Sequence, residues 1–300
     1  MTDELLTLSC PAKVNLALSI GAPRANGYHP IASWMVAVHF ADLLTISRSD
    51  ITTSQFDIRF DAQAPVPSTV DWPLEKDLAY RALGLLEQHV GRNLRVKVDL
   101  QKRIPTGAGL GGGSSDAAGM LVGINRLFSL DITPAVLQGL AQQLGSDVAF
   151  LVGALEGQSS ALVTGLGETL TPLLLTGDLH IVLIFPPFGC PTGEVYRAFD
   201  QLHQKEKLRI ADETLVRGMA AKQPLKPDAP FNDLAEPACM TRPALRPIID
   251  RIGATVHLPV HITGSGSTIY VITSDESAAQ AVAEKITRTT NLAAIATRTL

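Results

Sequence analysis

Two α+β domains are what this sequence predicts, and three observations carry that reading. The chain is 300 residues long, roughly twice the ~150 residues of an average domain. Its clearest strands, Leu6 to Ile20 and Leu94 to Leu100, alternate apolar and polar residues, the pattern of antiparallel sheet with one wet face. Separate stretches such as Leu74 to Val90 carry apolar residues at helical spacing instead.

Composition narrows the class further. Hydrophobic residues make up 46% and charged residues 18%, which is enough to build a core and too little charge for a disordered chain. The net charge of −4 and pI near 6.0 argue against a nucleic-acid partner. A loose basic cluster from Gln204 to Arg209 reads as a solvated helix face. The three cysteines, Cys10, Cys190 and Cys239, are far apart and form no Cys-x-x-Cys pair, so neither a disulfide framework nor a zinc site is indicated. The N-terminus lacks a basic leader, and the longest apolar stretch, Leu179 to Phe185, is too short to span a membrane. The expectation is a cytoplasmic protein without a membrane partner, and no internal repeat is visible.

In chain order, the even positions from Leu6 to Ile20 are apolar, so Lys13, Asn15 and Ser19 are expected on the exposed face. Asn26-Gly27 is a strong turn signal, and a second strand, Ile31 to Phe40, should complete a hairpin with Tyr28 and His29 near its tip. Weaker strands follow at Leu43 to Ser47 and Phe56 to Phe60, then the helix Leu74 to Val90. Thr133 before Pro134 predicts a capped helix through Leu144, and Ser146-Asp147 opens another. The Gly-, Ser- and Thr-rich stretch Gly153 to Pro172 marks the domain change, giving domains of residues 1–165 and 166–300. Beyond it are a buried strand at Leu179 to Phe185 and helices near Glu194 to Gln204 and Asp212 to Met219. Helical regions then open at Phe231 and Pro243, and a strand covers Thr268 to Thr273. A helix near Ser277 to Arg288 precedes a final strand around Ala293 to Thr297, itself a candidate to return to the first domain.

The feature with chemistry in it is Pro105-Thr106-Gly107-Ala108-Gly109-Leu110-Gly111-Gly112-Gly113-Ser114-Ser115. Glycines permit positive φ and let a ligand touch the backbone. Ser114 or Ser115 is expected to cap the following helix, whose free N–H groups and dipole would receive phosphate. A Walker loop needs Gly-Lys-Ser/Thr, and Gly113 is followed by serine, so that motif fails. Gly107, Gly109 and Gly112 fit Gly-x-Gly-x-x-Gly with Asp131 nineteen residues later, but the strand before them alternates instead of being a buried parallel strand.

The run from Pro105 to Ser115 closely resembles the ATP loop of the GHMP kinases. Pro11-Ala12-Lys13-Val14-Asn15-Leu16 resembles their N-terminal motif, and Thr263-Gly264-Ser265-Gly266-Ser267 their C-terminal glycine loop. The resemblance implies a ribosomal-protein S5 domain 2-like N-terminal domain, a GHMP C-terminal domain and a ligand cleft between them. It also implies ATP, with Mg²⁺ carried on it, as phosphoryl donor, bound by Pro105 to Ser115. Asp147 matches the family's catalytic aspartate and Lys13 its catalytic lysine. Gly27-Tyr28-His29 and Leu144-Gly145-Ser146-Asp147-Val148 resemble one branch, whose substrate is a cytidine-diphosphate-linked polyol. On that branch Asn15, Tyr28, His29, Thr192 and Tyr196 match substrate-lining positions, with Tyr28 and Tyr196 able to sandwich the cytosine ring. The common Asp-Val-Pro is Asp147-Val148-Ala149 here. Another kinase of the family, or a nucleotide-binding module without catalysis, are the alternatives; retained Lys13 and Asp147 speak against the second. A monomer or weak homodimer is expected.

Overall fold

A computed structural model describes residues 5–66, 69–203 and 209–300. Its strands are β1 Leu5–Ile20, β2 Ile31–Arg48, β3 Gln55–Phe60, β4 Val96–Lys102, β5 Ser160–Gly165, β6 Thr169–Pro172, β7 His180–Phe185, β8 Phe231–Asn232, β9 His261–Ile262, β10 Ile269–Thr273 and β11 Ala293–Arg298. Its α-helices are α1 Leu78–Val90, α2 Gly112–Leu127, α3 Pro134–Ala141, α4 Ser146–Leu155, α5 Thr192–Leu202, α6 Glu213–Ala220, α7 Ala235–Thr241, α8 Leu245–Val256 and α9 Glu276–Thr290. None of the described helices is long and apolar enough to cross a membrane.

One sheet has the strand order β3-β4-β2-β1-β8, with β5 also on β2 and β6 on β5; the other has the order β11-β7-β10-β9. Contacts group the chain into two compact units that interleave in sequence. The first holds residues 1–12, 40–106 and 111–159; the second holds 13–39, 107–110 and 160–300.

In the first unit, Leu43 to Arg48 of β2 pairs antiparallel with β4, and β3 runs parallel to β4. The helices stack as α1 on α2, α2 on α4 and α3 on α4. Two glycines let α2 lie close to the strands. A Cβ on Gly119 would stand 2.4 Å from the Cys10 Sγ and 3.0 Å from Leu44, and one on Gly123 would stand 2.8 Å from Ile46. Gly119→Ala should therefore destabilise the protein by about 1–3 kcal/mol through overpacking, read as a lower urea midpoint at unchanged slope.

In the second unit, Ile31 to Val36 of β2 pairs antiparallel with β5, and β8 runs parallel to β1 at Ala17 and Leu18. β7 is flanked antiparallel by β10 and β11. The core fills with Leu18, Ile20, Val182, Ile184, Phe199, Ile252, Val271 and Ile286.

Several expectations needed correcting. The two strand candidates at 31–40 and 43–47 are one 18-residue strand. The stretch Gly153 to Pro172 contains the β5–β6 hairpin; its polar composition masked strands because β6 is an edge with one partner. Phe231 begins a short strand, with its helix starting only at Ala235. Residues 204–208, which include most of the basic cluster and the expected end of α5, lie outside the described residues.

Candidate active site

β1 carries the first charged group into the interior of the second unit. Lys13, Asn15 and Ser19, expected on a wet face, are all buried. From Cys10 to Ile20 both faces of β1 are covered, so the alternation recorded polarity without exposure. A buried ammonium needs polar partners. The Lys13 Nζ donates to the Asn15 Oδ1 at 2.7 Å. The Asn15 Nδ2 donates to the Ser33 Oγ at 2.8 Å, and the Asn15 backbone N–H donates to the Thr263 Oγ1 at 3.0 Å.

The two glycine loops meet beside this lysine. The Lys13 backbone N–H donates to the Leu110 carbonyl at 2.9 Å, and the Thr268 N–H to the Ala108 carbonyl at 3.1 Å. Gly109 has φ +78°, and a Cβ there would lie 2.4 Å from the Thr263 carbonyl oxygen. Gly264 has φ +57°, and a Cβ there would come within 3.1 Å of the Lys13 Nζ. Both positions thus require glycine for backbone angle and for closeness at once. The Asn232 Nδ2 ties the second loop back through the carbonyls of Ile262 and Gly264, at 2.9 and 2.8 Å.

Two helices of the first unit begin at residues expected in the site. α2 starts at Gly112 with Gly111 (φ +72°) as its N-cap, and no side chain caps it. Ser114 and Ser115, expected as caps, lie within the first turn. The Ser115 hydroxyl donates to the Pro11 carbonyl at 2.7 Å. The glycine run enters the helix three residues earlier than a cap at Ser114 would allow, because a left-handed Gly111 already turns the chain. Without a side-chain cap, the first-turn N–H groups are directed outward with the positive end of the helix dipole, as an anion site requires. Asp147 occupies the first turn of α4, half-buried after Gly145.

Sequence reasoning passed over a buried ionic cluster at the base of the first loop. The Lys102 ammonium bridges Asp42, at 2.7 Å, and Asp116. Asp42 also accepts the backbone N–H groups of Arg103 and Ile104, at 2.5 and 2.7 Å. Burial pushes the Asp116 carboxyl up, against the pull of the Lys102 charge. Burial likewise presses the Lys102 ammonium down, and the carboxylates of Asp116 and Asp42 overcome it, so its pKa is raised. Two carboxylates around one ammonium leave a surplus negative charge, so Asp42 adds to the upward push on Asp116. Lys102 and Asp116 flank the glycines in sequence, but Asp42 comes from another strand, and nothing local signals the trio.

The expected substrate-lining residues are only partly together. Tyr28 projects from the turn, 68% exposed, whereas His29 is buried. The His29 Nδ1 donates to the Gly21 carbonyl at 2.8 Å, and its ring lies 5.1 Å from Tyr196 and 5.7 Å from Phe199. Its Nε2 is 3.4 Å from Asp200. Thr192, at the start of α5, shares a hydrogen bond of 3.0 Å with Ser265 of the second glycine loop. Lys13, Asn15, Gly107 to Leu110 and Thr192 therefore form one network within the second unit, which also holds His29 packed against Tyr196 of α5. Asp147 and Gly111 to Ser115 belong to the first unit. Ser33 and Thr263 join the network around Lys13 although neither was a candidate site residue. A lone serine in an apolar strand gives no sequence signal.

Comparison with known proteins gives the same outline. The GHMP kinases N terminal domain matches residues 77–154, and GHMP kinases C terminal matches residues 231–291. The protein named 4-diphosphocytidyl-2-C-methyl-D-erythritol kinase in Symbiobacterium thermophilum is 34% identical over 284 residues, covering 94% of this chain and 95% of that protein. The protein of the same name in Thermobifida fusca is 36% identical over 267 residues, covering 88% and 85%. A crystal structure of 4-(cytidine 5'-diphospho)-2C-methyl-D-erythritol kinase superposes with a TM-score of 0.75 at 31% identity, covering 98% of this chain and 99% of that one. Two-domain organisation, paired glycine loops and near-full-length relatives agree, and the chain belongs to the GHMP kinase family.

Proposed function

We propose that this protein transfers the γ-phosphoryl group of ATP to the 2-hydroxyl of 4-diphosphocytidyl-2-C-methyl-D-erythritol, a step of non-mevalonate isoprenoid biosynthesis. The observation that carries the reading is the packing of two glycine loops against a buried lysine, Lys13, in a chain whose relatives bear that enzyme's name. Phosphoryl transfer asks a protein mainly to position the reactants and to neutralise developing charge. Backbone N–H groups from Gly107 to Ser115 are suited to hold the phosphates, since five of these nine residues are glycines and no side chain caps the start of α2.

Lys13 would neutralise charge on the group in transfer, and Asp147 would accept the proton of the attacking hydroxyl. Mg²⁺ would be carried on the phosphate oxygens, which is how the ion is commonly held in phosphoryl-transfer sites. The described residues offer no cluster of three His, Cys, Asp or Glu for it. The hydroxyls of Ser114 and Ser115 stand in the first turn of α2, hard oxygen donors of the type Mg²⁺ accepts. Tyr28, His29, Thr192 and Tyr196 would receive the cytidine-diphosphate end, with Tyr28 closing over the base on the side opposite Tyr196. Asn15 belongs to the reacting end, beside Lys13. The enzyme would act in the cytoplasm as a monomer or weak homodimer.

The test is turnover. Purified protein with Mg-ATP should release ADP when given 4-diphosphocytidyl-2-C-methyl-D-erythritol, and not with mevalonate, homoserine or galactose. Turnover of one of those alcohols in preference would overturn the substrate assignment.

A further inference from the structure

Every polar atom of the Asn15 side chain is already engaged within the protein, and the pattern has a direction. The Ser33 hydroxyl has a single proton, which it donates to the Ala17 carbonyl at 2.8 Å. Toward Asn15 it can therefore only accept. That places the Asn15 Nδ2 against Ser33 and its Oδ1 against the Lys13 ammonium, at 2.8 and 2.7 Å. Thr263 reinforces the choice. Its oxygen accepts the Asn15 backbone N–H, and its proton points at the same Oδ1 at 3.4 Å. The Tyr270 hydroxyl fixes the backbone by donating to the Asn15 carbonyl at 3.1 Å. Ser33 and Thr263 have no measurable exposure, and Asn15 and Lys13 are buried with them.

We infer that Ser33 is a positioning residue for phosphoryl transfer, fixing the Asn15 amide so that its oxygen aims the Lys13 ammonium. Without the Ser33 oxygen, nothing on that side distinguishes the two ends of the amide. A flipped amide would set an N–H₂ against the ammonium, donor to donor, and the lysine would leave its place. In a buried site such a mismatch is costly, because no water compensates the lost bond. Asn15 thus acts through Lys13, and Ser33 acts one step further back. Neither role depends on which alcohol is the acceptor.

This rests on the reading of Lys13 as the group that neutralises the transferring phosphoryl, so the experiment treats the two separately. Steady-state constants are measured for the wild type, Lys13→Ala and Ser33→Ala, with thermal midpoints recorded for each. Lys13→Ala should lower kcat about 10²-fold or more, the scale of one lost electrostatic contact to the transition state. Ser33→Ala should lower kcat about tenfold while both KM values stay within about twofold, as expected for a group misaligned and not removed. Undiminished turnover in Lys13→Ala would overturn the reading of Lys13. A normal kcat in Ser33→Ala, or a loss confined to KM, would overturn the role of Ser33 while leaving Lys13 intact. If Ser33→Ala does not fold, Ser33→Cys keeps the volume but offers a weak acceptor, and the same expectations apply. A readout independent of turnover is the Asn15 side-chain amide in ¹⁵N spectra: its proton exchange should be slow in the wild type and faster in the Ser33 variant, and equal rates would sink the inference.

Discussion

Asp147→Asn should bind ATP as the wild type does and lose turnover by roughly 10²–10⁴-fold, the range that a positioned general base supplies. The side chain keeps its shape and its place in the first turn of α4, so the helix start is retained. In the proposed mechanism, what disappears is the ability to take a proton from the attacking hydroxyl. The loss should fall in kcat, with KM for ATP little changed, because nothing on the glycine loops is altered. Isothermal titration with a non-hydrolysable ATP analogue, beside steady-state kinetics, separates the two. Rates within a few-fold of wild type would remove Asp147 from the base role.

Gly109→Ala should have the other large effect, on different kinetic constants. Alanine at φ +78° is strained, and its methyl would sit 2.4 Å from the Thr263 carbonyl oxygen and 3.0 Å from that of Gly266. Backbone cannot swing aside as a side chain does, so the two loops must part. The Ala108 carbonyl would then lose the Thr268 N–H, and the loop amides proposed to hold the phosphates would shift by about an ångström or more. Displacement on that scale costs about 10²-fold in productive geometry. The fall should show in kcat/KM for ATP, with a circular dichroism spectrum like that of the wild type. An unchanged kcat/KM would mean that the loops do not depend on each other.

The contrast between these residues shows what a sequence can carry. Gly109 was visible as part of a dense glycine run, and Asp147 as an acid at a helix start, because both signals are local. Lys13 was visible only by resemblance; alternation placed it on a wet face, and β1 turned out to be covered on both sides. Periodicity reports where polar residues recur, and says nothing of what another segment lays over them. Ser33 and Asp42 were invisible for a related reason, since each gains its meaning from partners 18 and 60 residues away. The serine caps failed more instructively. Propensity favours Ser at a helix start, but a left-handed glycine turned the chain first and left the amides open. That is the better outcome for an anion site.

The interleaving of the two units has a consequence for how such a protein can change over generations. Neither unit is a continuous stretch: one is drawn from three segments and the other from three more. No single cut in the gene therefore separates one unit cleanly from the other. Residues 13–39 and 107–110 would always be parted from 160–300 by a break after the first half. Recombination at one point cannot exchange either unit without carrying part of the other along, so the two must be inherited, and tuned, as one.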